Sequence, residues 1–278
     1  MLLKPPIINT AQDPGLSHVM TSVTSKPNPV IPVYHWTRDP VDPRDIPYTP
    51  TQLLMPSHVD LRNYASPIDN QGNLGSCTGN AIAGAIDLID RKTQNKSLRV
   101  SRLFIYYQER LLEGDISRDN GAYIRDGIKA CYTIGAPQET LWAYDINKFA
   151  TNPSSVAYAD ANLRKIVSYA KCADYSAVKN ALASGTPVVV GFDVYSSFES
   201  PAVAKTGIMP YPDTSREQLL GGHAVCLVGY DDSRNSFIAR NSWGSGWGIE
   251  GYFYMPYSII QNTSMSSDFW TIKLVGNP

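Results

Sequence analysis

Gln71-Gly72-Asn73-Leu74-Gly75-Ser76-Cys77 runs directly into Thr78-Gly79-Asn80-Ala81-Ile82-Ala83-Gly84-Ala85-Ile86-Asp87-Leu88-Ile89-Asp90-Arg91. In the second part, apolar residues 82, 85, 86 and 89 recur at the spacing of a buried helix face. Cys77 thereby stands at a helix N-terminus, where unpaired N–H groups carry partial positive charge. That position favours thiolate, the nucleophilic form of cysteine. Two distant segments answer it: Gly222-His223-Ala224-Val225 and Asn241-Ser242-Trp243-Gly244. An imidazole at 223 takes the thiol proton and later returns a proton to a departing group, while Asn241 orients the ring by accepting its other N–H. The side-chain amide of Gln71 and the backbone N–H of Cys77 are candidate donors to an oxyanion.

These residues resemble the papain-like cysteine peptidases, the group that includes the cathepsins. Gln71 stands six residues before Cys77, and Gly75-Ser76-Cys77 repeats the family's Gly-Ser-Cys. His223-Ala224-Val225 with Val228-Gly229-Tyr230 resembles the histidine strand. Asn241 to Gly248 with Gly251-Tyr252 resembles the asparagine segment, in which Trp243 would shield the Asn241 to His223 hydrogen bond. Pro56, Val59-Asp60 and Arg62 resemble the start of a mature domain, so the likeness covers 55–278. It implies an α+β fold of two lobes, one helical and one an antiparallel barrel-like sheet, with the active site in the cleft between them. It also implies a substrate-binding set of Gly121, Ala122, Ile124, Gly191, Gly221 and Gly222. Asp268 is either near the floor of the second pocket or a turn residue.

There are departures. Thr78 replaces the aromatic residue that commonly follows the nucleophile, and Leu74 and Asp119 stand where many members carry a disulfide. Cys131, Cys172 and Cys226 have no zinc-ligand spacing. They read as buried thiols, with a bridge between Cys131 and Cys172 left open.

The chain has 278 residues and a formal net charge of −1, which gives no long-range field for nucleic acid or an anionic membrane surface. Its longest apolar runs, such as Pro187 to Phe192, are strand-sized and too short to span a bilayer. Peptide or protein is the expected substrate, with no metal, no cofactor and a monomeric chain. Met1 to Pro6 shows no signal-peptide core, which leaves secretion open. Asn95-Lys96-Ser97 and Asn262-Thr263-Ser264 fit the glycosylation sequon, a short pattern frequent by chance.

Residues 1–54 hold ten of the 20 prolines, which disfavours long helices. Within them Val33-Tyr34-His35-Trp36-Thr37-Arg38-Asp39 is an aromatic cluster suited to docking on a surface. The segment reads as a short prosegment and intramolecular inhibitor of a catalytic domain at 55–278; the alternative is a solvated linker. His18, His35 and His58 read as surface residues. Helices are expected at 101–112, 124–134 and 155–164, and strands at 165–169, 188–194, 224–230, 236–240, 251–255 and 270–274. The leading expectation is an endopeptidase made as a zymogen and acting through a thiolate–imidazolium pair and an acyl-enzyme. The alternatives are an exopeptidase, acyl transferase or deconjugating hydrolase, its cleft blocked by residues 1–54 or the 231–235 turn, and a catalytically silent peptide-binding protein.

Overall fold

The computed structural model describes residues 34–95 and 98–274. His18, Val33, the prolines up to Pro32 and part of the first sequon lie outside them.

Helix α1 (Cys77–Gln94) is buried on every side from Cys77 to Ile89, a wider burial than the single face its apolar spacing predicts. It is enclosed because α2 (Arg102–Glu113) and α3 (Ile124–Thr133) pack on one side and a sheet on the other. Ser101 caps α2 as expected, its Oγ accepting the Phe104 N–H at 3.1 Å. The short α4 (Ser155–Ala161) follows and ends earlier than the sequence suggests.

The strands are β1 (His58–Asp60), β2 (Ser168–Lys171), β3 (Val188–Tyr195), β4 (Leu219–Asp231), β5 (Ser236–Arg240), β6 (Tyr252–Pro256) and β7 (Ser266–Lys273). They form one antiparallel sheet in the order β2-β7-β3-β4-β5-β6, with β1 continuing on β4 beyond the end of β3. The fold is thus an α+β pairing of a helical lobe with an open antiparallel sheet. Side chains alternate across the sheet. Val189, Ala224, Cys226, Val228 and Trp270 join α1 in one core. Val188, Val190, Phe192, Val225 and Leu227 face a second core closed by α5 (Tyr175–Ala183) and α7 (Tyr257–Gln261). The remaining helix, α6 (Pro201–Thr206), is short. Neither α5 nor α7 was foreseen from apolar periodicity.

Residues 34–54 pack onto this same body. Ile46 and Tyr48 exchange backbone hydrogen bonds with Lys171, each at 2.8 Å, so the segment covers the free edge of β2. Arg125 pairs with Asp45 at 2.6 Å beneath it.

One buried charge joins the two lobes. Asp69 pairs with Arg240 of β5 and Arg102 of α2, each at 3.2 Å, and with Arg99. Removing the carboxylate leaves three guanidinium groups without it, so Asp69→Ala should lower stability by about 3–5 kcal/mol. Removing the exposed partner in the Arg118–Asp115 pair should cost under about 1 kcal/mol. Urea denaturation of both variants checks this; equal midpoints would contradict it.

Candidate active site

Cys77 begins α1 and is fully buried. The backbone N–H of Ala224 is directed at its sulfur, which brings β4, and with it His223, against the helix N-terminus. His223 Nε2 lies 2.9 Å from Asn241 Oδ1. That oxygen also accepts the Ser242 N–H at 2.8 Å, so it is an acceptor and Nε2 carries the proton. Nδ1 is left with its lone pair and has no hydrogen-bond partner among the described residues. Trp243 stacks on the imidazole at 5.0 Å between centroids, and Phe198 and Trp247 back it.

Gln71 is fully buried. Its Oε1 accepts from Ser242 Oγ at 2.6 Å and its Nε2 donates one hydrogen to Leu74 O at 3.0 Å. Ser242 thus fixes which way the amide points. Tyr144 donates its hydroxyl proton to Gln71 O and lies 2.6 Å from Ser76 Oγ, which locks the turn before the nucleophile. The Asp119 carboxylate accepts from the Gly75 N–H and the Tyr106 hydroxyl, which holds the turn before Cys77. All four cysteines are free and buried.

Residues 34–36 lie over this group of residues. Trp36 N–H donates to Gly222 O at 2.8 Å, and Trp36 bridges Ala122 in parallel. Its indole, 5 % exposed, lies against Gly191 so closely that any side chain there would collide with it. His35 O lies over Gly121, whose φ of +79° and missing Cβ permit the approach. Tyr34 lies beside Gly221 and edge-on to His223 and Trp243. Five of the six substrate-site residues named from the sequence therefore touch this segment, while Ile124 is buried in the core cluster that holds Trp36.

Three readings need correction. His35 is not a surface residue: its ring lies against Gly75 in the cleft, with a buried Nδ1. His58 is exposed as expected. Asp268 is not in a turn: it sits in β7 at a register shift opposite β3, with φ +60°, and accepts the Asp39 N–H at 2.9 Å. The 231–235 turn lies at the far end of β4 from His223, eight residues and roughly 27 Å along the strand, so it does not block the cleft.

Burial opposes the expected ion pair while the segment covers the site. It pushes the Cys77 thiol up to about 12, against the opposing Ala224, His35 and Thr78 N–H groups. Burial also pulls His223 down to about 4, with Asn241 resisting. Both shifts have the sign of desolvation, which disfavours the charged form of each group.

A cysteine at a helix N-terminus, an imidazole oriented by an amide and a flanking buried glutamine are the set of groups that thiol hydrolysis uses. The model of the papain family cysteine protease matches residues 55–271, and the chain belongs to that family. It is 46 % identical over 231 residues to an uncharacterised peptidase C1-like protein of Acanthamoeba polyphaga mimivirus, covering 79 % of this chain and 73 % of that one. It is 29 % identical to cysteine proteinase 3 of Entamoeba histolytica over 72 % of this chain, and spans 62 % of that protein's length. Among solved structures it resembles xylellain, a cysteine protease from Xylella fastidiosa, with a TM-score of 0.81 and 40 % identity over 87 % of this chain and 96 % of that one. The protein is a papain-family cysteine protease, a hydrolase.

Docking of the segment at 34–39 has a pH sign. Asp39 accepts from Trp270 Nε1 and Arg125 N, and burial, then repulsion from Asp268, hold its carboxyl above the usual range, against Arg125. Glu113 adds to the negative field there. An acid raised on docking favours the docked form at low pH and opposes it as pH rises. Cys77 has the same sign, while His223, which burial lowers, has the opposite sign and matters chiefly below about pH 6.5. Alkylation of Cys77 in the full chain should therefore quicken by about tenfold or more between roughly pH 6.5 and 9. A flat or falling rate over that range, followed by mass spectrometry, would contradict the assignment.

Proposed function

We infer that the chain is a cysteine endopeptidase held latent by its own N-terminal segment. The observation that carries this is Trp36, bonded through its N–H to Gly222 O with its indole against Gly191, in the place a substrate would take. Once the cleft is hydrated, His223 Nδ1 takes the Cys77 proton, and the thiolate attacks the scissile carbonyl. The second Nε2 hydrogen of Gln71 and the Cys77 N–H hold the oxyanion. The imidazolium, kept in register by Asn241 and screened by Trp243, protonates the departing amine, and water then releases the acyl-enzyme.

Endopeptidase action is supported by how a polypeptide already passes the nucleophile in both directions. Tyr34 lies on the His223 and Trp243 side and Trp36 on the Gly191 and Ala122 side. Latency has a stereochemical reason. The departing amine must lie beside His223, so the C-terminal part of a substrate belongs on the Trp243 side. The segment puts its earlier residue there, and the His35 N–H is directed at the sulfur.

Full-length protein and its Trp36→Asp variant, treated with an epoxysuccinyl peptide and mapped by mass spectrometry, test both halves of this reading. The buried carboxylate disfavours docking, so the variant should label at Cys77 at least about tenfold faster. Labelling at equal rates would remove the covering role. Cys77→Ala should fold and take no label, and casein fragments from the opened variant should be internal peptides. Release of terminal dipeptides alone would favour an exopeptidase.

A further inference from the structure

Resting on that reading, we propose that Glu199 makes the subsite for the first substrate residue after the scissile bond selective for a long side chain tipped with a hydrogen-bond donor, namely tyrosine, lysine or arginine. Tyr34 occupies this subsite in the covered form. Its ring meets His223 at 6.0 Å and 85° and Trp243 at 5.9 Å and 67°. Its hydroxyl donates to Glu199 Oε1 at 2.5 Å. The side chain thus spans from the imidazole, where a leaving amine is protonated, to a carboxylate at the rim.

Glu199 is well placed for such a role. It ends the 3-10 turn Ser196–Glu199 that follows β3, and Phe198 in the same turn is buried against Trp243 and Trp247. The turn is braced by Glu217, which accepts the Ser197 N–H and the Asp213 N–H, each at 2.9 Å. Glu199 is exposed and has no described ion pair, so once Tyr34 leaves, its carboxylate can accept from a donor and repels an acidic side chain. Gly221 faces Tyr34 Cβ, so the backbone leaves room for a ring. When the segment withdraws, aromatic walls and an acceptor remain, and a substrate residue with the same reach takes the place of Tyr34.

The test uses the full chain carrying Tyr34→Ala and Trp36→Ala to open the cleft, with peptides differing only in the residue after the scissile bond. Tyrosine against phenylalanine isolates the hydroxyl, and arginine against glutamate isolates the charge. For the exposed carboxylate, kcat/KM should favour tyrosine over phenylalanine by roughly threefold and arginine over glutamate by roughly fivefold or more. Adding Glu199→Gln should bring arginine and glutamate within roughly twofold of each other. Preferences that survive Glu199→Gln, or phenylalanine cleaved as fast as tyrosine, would overturn the subsite while leaving the peptidase intact. Cleavage of no peptide by the opened chain would overturn both.

Discussion

The antiparallel pairing of β3 with β4 is the constraint on which the rest depends. It sets Phe192 opposite His223 and Gly191 opposite Ala224. With period-2 alternation, one strand then delivers His223 to the aromatic layer of Phe192 and Trp243 and turns Ala224 toward α1. A slip of one residue would exchange the two faces, burying the imidazole in the helical core and pushing Ala224 into the site. The register is protected because both faces of these strands are buried.

Around that pairing, polar groups are fixed by partners in other elements. Asp69 ties α2 to β5, Ser242 holds Gln71, and Asp119 clamps Gly75. Cys77 is treated differently. Burial raises its thiol despite the helix N-terminus and three N–H groups, so desolvation outweighs the local dipoles while residues 34–36 cover it.

Much of this was legible in the sequence. The apolar spacing after Cys77 and the glycine-bounded helices came from local periodicity, and strand β5 was read to its ends. The candidate site residues could be named from sequence because the proposed chemistry requires particular side chains. What escaped was tertiary in origin. Ser242 and Tyr144 matter through partners 171 and 73 residues away, which no local pattern encodes. His35 looked like a surface residue because the extended, proline-rich stretch around it has no periodicity to reveal a buried face. Helices α5 and α7 are short, and their apolar residues match strand signals as well as helical ones. Asp268 is shaped by a bulge that only the pairing of β3 with β7 creates.

The N-terminal segment holds the body at several successive places: over Gly191 and Gly222 through Trp36, at Trp270, Arg125 and Asp268 through Asp39, at Arg125 through Asp45, and at the edge of β2 through residues 46–48. Loss of the contact at Trp36 alone leaves the others in place. Return of residues 34–36 is then an intramolecular event over a tether of a few residues, with an effective concentration independent of how dilute the protein is.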